Sequence, residues 1–342
     1  MKRILFYCAV GCITLISCEG EKKSIPNNND TTLVKPVINV QPITKPAFNS
    51  DSAYFFTEKQ VNFGPRVPNS EPHKKCADWL KNKLLEYGLT TSIQEGQATA
   101  FNKVKLNIKN IIGKYNPSHK NRVLLFAHWD TRPFADRDNE NKNTPIDGAN
   151  DGASGVGVLI EVARQLSIHK PDIGVDIIFF DAEDYGAPYG SMTNMEDSWC
   201  LGTQYWAKNL NPNDIKPQYG ILLDMVGAKD AQFPLEGTSR NHAPELLNEV
   251  WTIAAKLGYS NYFLNRATSP TTDDHLYVNT IAKIPAIDIV HYEPDRSDYF
   301  VHHHKHSDTM ENIDKNTLQA VGEVVLYKIY KDANYTYTNE PQ

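Results

Sequence analysis

Four stretches of this chain are apolar almost without interruption, at residues 123–127, 175–180, 221–223 and 285–290. A strand with one wet face alternates apolar and polar side chains, so runs without alternation belong to a sheet covered on both faces. Between the runs lie helical spacings: Val156, Leu159, Ile160, Ala163 and Leu166, then Leu246, Leu247, Val250, Ile253, Ala254 and Leu257, closed by Gly258. Residues 76–85 and 318–329 repeat that period near the two ends. Strands alternating with helices predict a layered α/β fold. With 40% hydrophobic and 22% charged residues, the 342-residue chain is not wholly disordered. Its formal charge of −6 is the wrong sign for general nucleic-acid binding, and five cysteines are too few for a disulfide scaffold.

The chain is predicted to divide into three parts. Residues 1–17 read as a signal peptide: Lys2 and Arg3 precede an apolar stretch at 4–16 that is too short to span a bilayer. The stretch ends in Leu15-Ile16-Ser17-Cys18, which resembles a bacterial lipobox and would leave Cys18 lipidated. An ordinary signal peptide that contains a cysteine is the alternative. Either way the mature protein is expected to be exported, as a periplasmic or cell-envelope lipoprotein held through Cys18 in the first case. Residues 18–50, polar and broken by Pro26, Pro36, Pro42 and Pro46, read as a flexible tether. Residues 51–342 form one domain without internal repeats. In an oxidising compartment Cys76 and Cys200 could pair, and the sequence leaves that open.

The chemistry lies where the apolar runs end. The first ends in Ala127-His128-Trp129-Asp130-Thr131, the second in Phe180-Asp181-Ala182-Glu183-Asp184 and the third in Leu223-Asp224. Carboxyl ends of strands are where open α/β sheets bind ligands. A glycine-rich turn at 147–155 carries Asp151 at its centre and lacks a lysine, which suits a cation rather than phosphate. His306 stands in His306-Ser307-Asp308-Thr309 before the last helix. His128, Asp151, Asp184, Asp224 and His306 make an N/O donor set, and the absence of thiolate fits a catalytic zinc better than a structural one. Adjacent Glu183 and Asp184 allow one carboxylate to bind metal while its neighbour moves protons. His302, His303 and His304 read as a solvated run, one of which could line the site.

These residues resemble the zinc aminopeptidase family and, within it, the glutaminyl-peptide cyclotransferases. The motifs are FGPRVPNS at 63–70, AHWDT at 127–131, DGANDGASG at 147–155, FFDAED at 179–184, LLDMVGA at 222–228, TDDH at 272–275 and HSDT at 306–309. The resemblance implies a zinc exopeptidase-like three-layer sandwich, with a mixed, mostly parallel central sheet flanked by helices. It implies one zinc on Asp151, Asp184 and His306, with Glu183 as acid/base and Asp224 and Asp273 as an acidic pair beside it. Of the aromatic residues near Glu183, Trp199 is taken as the pocket wall. The implied substrates are peptides or exported proteins beginning with Gln. A di-zinc aminopeptidase, which would use His128 and Asp224 on a second zinc, is the alternative.

Overall fold

A computed structural model of the chain describes residues 45–188, 191 and 196–337. The signal peptide and nearly all of the tether lie outside the described residues. The six main strands are β1 (Thr90–Thr99), β2 (Lys105–Tyr115), β3 (Arg122–His128), β4 (Gly174–Phe180), β5 (Gly220–Asp224) and β8 (Ala286–Val290). Two short ribbons pair β6 (Phe233–Leu235) with β7 (Phe263–Ala267), and β9 (Tyr292–Glu293) with β10 (Asp298–Tyr299). The helices are α1 (Ser50–Val61), α2 (Glu71–Glu86), α3 (Ala153–His169), α4 (Leu201–Lys208), α5 (Gly237–His242), α6 (Pro244–Lys256), α7 (Asp274–Thr280) and α8 (Lys315–Tyr337).

The main sheet runs β1-β2-β4-β3-β5-β8. Its inner strands β4, β3, β5 and β8 pair in parallel, while β1–β2 and β2–β4 are antiparallel. The four apolar runs are these parallel strands, and their side chains divide between two cores. Val123, Leu125, Ile177, Phe179, Ile221 and Leu223 enter the larger core with α1, α2, α3, α6 and α8. Leu124, Phe126, Ile178, Phe180 and Leu222 enter a second core with Trp206 of α4 and Val278 of α7. Helices therefore cover both faces, and the three-layer sandwich with its mixed, mostly parallel sheet is borne out.

The folded body begins earlier than residue 51. The Phe48 side chain is buried, its N–H donates to Glu323, and Asn49 caps α1 by accepting from the Ser52 N–H. Cys76 and Cys200 are both buried free thiols and do not pair.

Close packing of α3 on the sheet brings the Asp151 turn against the strand ends. A Cβ on Gly155 would lie 2.1 Å from the Leu223 carbonyl oxygen and 3.0 Å from Ala127 Cβ. Gly155→Ala is therefore expected to push α3 off β3 and β5 and to destabilise the fold by about 1–3 kcal/mol. Thermal and chemical denaturation measure this, and an unshifted midpoint would mean that the helix can move without cost.

Candidate metal centre and catalytic cleft

Strand ends and turns bring the acidic residues to one cleft of about 970 Å³. It runs from buried Asp151, Glu183, Asp224 and Asp273 past Trp199, His303 and His304 to exposed Lys142 and Arg296. The Asp151 turn is fastened from behind by Asp308, whose carboxylate accepts the N–H groups of Asn150 (2.9 Å) and Asp151 (3.1 Å). The turn depends on Gly152 at φ 66°, where a Cβ would lie 2.6 Å from the His128 carbonyl oxygen. Asp130, at the end of β3, does the same for the next strand end, accepting the N–H groups of Glu183 (3.0 Å) and Asp184 (3.3 Å). Arg132, fully buried, donates to the Asp184 carbonyl (3.0 Å), grips Asp136 through two nitrogens and lies 4.7 Å from the Trp199 ring. Trp199 stacks on His304 at an interplanar angle of 8°, which places the predicted aromatic wall in the cleft.

The structure corrects the predicted histidine. His306 is 39% exposed, and its ring bonds Asp138 (2.6 Å) and Thr144 (2.8 Å) on the far side of its loop. His304 stands in its place, with Nε2 3.1 Å from Asp184 Oδ1 and 3.8 Å from Asp151 Oδ2. The backbone explains the exchange: His304 has φ 57°, and this left-handed turn aims its ring inward while the chain passes outward to His306. The HSDT segment thus contributes buried Asp308 rather than its histidine. His303 is also inside, with Nε2 3.9 Å from Asp151 Oδ2 and Nδ1 accepting from Arg137 (2.8 Å), so the histidine run is not simply solvated.

Asp151, Asp184 and His304 suit a divalent cation. Asp151 Oδ2 and both oxygens of Asp184 are buried without a hydrogen bond from any described residue, despite the proximity of His304. Burial and neighbouring Arg132 hold His304 down at about 3, so it is neutral imidazole, the form that ligates metal. Burial and the charge of Asp151 push Asp184 well above the carboxylate range, a cost that a cation would remove. His128 behaves differently. Its Nε2 sits between Asp151 Oδ1 (3.1 Å) and Asp224 Oδ1 (3.2 Å). Burial opposes its charge, yet hydrogen bonds to Asp130, Asp151 and Asp224 outweigh burial and raise it well above its ordinary value. A protonated His128 can thereby serve as the cation between those two acids.

Glu183 is buried at the cleft wall. Burial, then the charges of Asp273 and Asp184, raise it well above its ordinary value, against the pull of His128. Burial carries Asp224 to about 6, although His128 opposes the rise, and burial with the Asp224 charge carries Asp273 to about 7. Two such acids share a proton near neutrality. The Cys200 thiol donates to Glu183 Oε1 (3.2 Å), and the Cys200 N–H donates to the Glu183 carbonyl (3.0 Å). The sequence gives no sign of this contact, because Cys200 comes to Glu183 only through the start of α4.

Comparison with known proteins agrees with this geometry. Residues 110–329 match the model of peptidase family M28. The crystal structure of Tannerella forsythia glutaminyl cyclase superposes with a TM-score of 0.81 at 49% identity, covering 86% of this chain and all of that one. A Zn-dependent exopeptidase from Parabacteroides distasonis gives 0.82 at 49% identity, covering 84% of this chain and 99% of that one. Aminopeptidase YwaD of Bacillus subtilis is 28% identical over 67% of this chain, which spans only 45% of its length. With the family model covering more than half its residues and the metal-site geometry in place, the chain belongs to peptidase family M28.

Proposed function

We propose that this protein is a zinc-dependent glutaminyl-peptide cyclotransferase, closing N-terminal glutamine of a peptide or protein to pyroglutamate with release of ammonia. The observation that carries this over a two-zinc peptidase is the unequal satisfaction of the two donor groups. Beside His304, Asp151 and Asp184 keep buried oxygens without partners, whereas in the second group His128 Nε2 already bonds Asp224 and lies 3.1 Å from Asp151. The glutaminyl cyclase at 49% identity over 86% of the chain supports the same choice.

Asp151, Asp184 and His304 would hold the zinc, with Arg132 and Asp308 fixing the backbone behind two of them. When bound, the zinc supplies Lewis acidity toward the γ-carbonyl oxygen of the glutamine side chain. The cleft's task is to hold that side chain folded, so that the α-amine faces its own amide carbon and attack becomes intramolecular. A C–N bond then forms at that carbon as the bond to the side-chain NH2 breaks. Glu183 takes a proton from the α-amine and returns it to the leaving nitrogen, a task that suits a carboxyl raised above its ordinary value by burial. Asp224 and Asp273, sharing one proton, offer an acceptor and a donor to the two nitrogens.

The two-zinc aminopeptidase remains the second reading, because Asp151 belongs both to the His303–His304 group and to the His128–Asp224 group. Metal analysis beside two assays separates them: one zinc with ammonia release from a Gln peptide supports cyclisation, and two zincs with hydrolysis of a leucyl arylamide support the peptidase.

Glu183→Gln is expected to lower kcat by about 10²–10⁴-fold while zinc stays bound, and an active, folded variant would remove Glu183 from its role. His304→Ala is expected to lose zinc and activity, whereas His306→Ala should retain both; the reverse pattern, measured by metal analysis, would restore His306 as the ligand. Export and lipid anchoring through Cys18 belong to the same proposal, and they place the enzyme among exported proteins whose new N termini begin with Gln. Expressed with its leader in a bacterial host, the protein should partition into detergent, and Cys18→Ala should abolish the partitioning.

A further inference from the structure

His303 lines the cleft beside Asp151 and His304, and the reaction as described gives it no part. Its ring is wedged between Tyr299, with centroids 4.5 Å apart, and His304, at 3.7 Å. Rotation is thereby restricted, and the two ring nitrogens meet different surroundings. Nδ1 lies 2.8 Å from a guanidinium nitrogen of Arg137. Arg137 is itself held in place: a second guanidinium nitrogen pairs with Asp298, and its backbone N–H donates to the His304 carbonyl (3.3 Å). Nε2 faces the metal site, 3.9 Å from Asp151 Oδ2, which is beyond hydrogen-bonding reach. Donor atoms of Asp151, His303 and His304 all lie within 4.8 Å of one another.

Arg137 decides the tautomer. A guanidinium only donates and has no lone pair to offer, so Nδ1 of His303 must accept. The ring hydrogen then sits on Nε2, directed into the cleft. The same assignment takes His303 out of the metal's ligands. An Nε2 that carries hydrogen has no lone pair for a cation, and moving the hydrogen to Nδ1 would set it against those of Arg137. Asp151 Oδ2 takes no hydrogen bond from Nε2, so this N–H is unspent. An N-terminal glutamine brings two carbonyl oxygens that could accept it, one in its side chain and one in its main chain. Its amide nitrogen accepts nothing, and the lone pair of its α-amine is used in the attack. The nearness of Nε2 to Asp151 selects the side-chain oxygen, which the cyclisation places at the metal site.

We propose that His303 is a catalytic residue that donates its Nε2–H to the γ-carbonyl oxygen of the glutamine substrate, an assignment that rests on the cyclotransferase reading. As the α-amine forms its bond to the γ-carbon, the carbonyl gives an electron pair to its oxygen. A donor fixed beforehand meets that charge without having to reorganise. The pair returns to the carbonyl when the side-chain nitrogen leaves, and the His303 hydrogen stays on Nε2 throughout. Arg137 is the positioning residue behind it, holding the hydrogen on the nitrogen that faces the substrate.

The test uses the zinc-loaded protein with His303→Phe and His303→Gln, assayed on a peptide that begins with Gln. Phenylalanine keeps a ring between Tyr299 and His304 without the donor, and glutamine can set an amide N–H near the position of Nε2. His303→Phe should lose about 10²–10³-fold in kcat, with KM within about threefold and zinc content and melting temperature retained. His303→Gln should recover about tenfold or more of that loss. In parent protein labelled with the heavy nitrogen isotope at histidine, the ring resonances missing from His303→Gln should be those of a neutral imidazole with hydrogen on Nε2. Parental kcat in His303→Phe, a glutamine variant no faster than the phenylalanine one, or a His303 ring without hydrogen on Nε2 would each overturn the proposal. So would zinc lost from His303→Phe, which would make His303 a ligand, or a rise in KM alone, which would put the donor on the main-chain carbonyl. Should His303→Phe fail to fold, the ring resonances and the His303→Gln rate decide. If the parent protein releases no ammonia from a Gln peptide, the cyclotransferase reading falls, and the ring resonances still decide separately whether His303 offers the donor.

Discussion

Everything at this centre follows from packing more carboxylates at the ends of β3, β4 and β5 and the starts of α3 and α7 than a water-poor cleft can keep ionised. Asp130, Asp151, Asp181, Glu183, Asp184, Asp224, Asp273 and Asp274 are all nearly or fully buried. Each must be answered by a hydrogen bond, a proton or a cation. Backbone N–H groups answer Asp130, as they do Asp308 in the loop behind the turn, and His73 answers Asp181 through its Nε2 at 2.9 Å. Burial raises Glu183, Asp224 and Asp273 above the ordinary carboxylate range, so that they can exchange protons near neutrality. A metal is left for Asp151 and Asp184, and this division of labour is what makes the cleft reactive instead of merely acidic.

The same division explains why the architecture was legible and the ligand set only partly so. Strands β3, β4, β5 and β8 are visible because burial on both faces removes alternation, and their order implies a sheet edge rich in acids. The antiparallel strands β1 and β2 are not visible in that way. β1 is half-exposed along its length and reads Thr90-Thr91-Ser92-Ile93-Gln94, so no continuous apolar run marks it. Among site residues, Asp151, Glu183, Asp184 and Asp224 could be picked out because each follows a strand or opens a helix, whereas Asp273 is marked only by the family resemblance. Trp199 could be picked out only as an aromatic near an acid.

The exchange of His306 for His304 shows the limit. Both lie in one polar run, and spacing cannot choose between them, because the choice is made by a left-handed residue and by partners distant in sequence. Asp138 and Thr144 capture His306, while Trp199 stacks on His304 from the start of a helix a hundred residues earlier. Cys200 escapes notice for a related reason: a cysteine before a helix acquires meaning only from what the fold sets against it.

His128 is the residue on which the one-zinc and two-zinc readings of this cleft divide. In a site with two metals, Asp151 and Asp224 would spend their charge on the second ion, and His128 would have to be neutral to join them. Here the imidazole lies within hydrogen-bonding reach of both acids, and three carboxylates favour its protonated form. Asp224 is thereby kept close to neutral charge balance and free to share a proton with Asp273. A carboxyl that shares a proton can hand a hydrogen bond to an amine and recover it, whereas one bound to a second metal cannot. On the cyclotransferase reading, a ring nitrogen in the place of a second ion leaves Asp224 and Asp273 to handle the substrate's own nitrogen atoms.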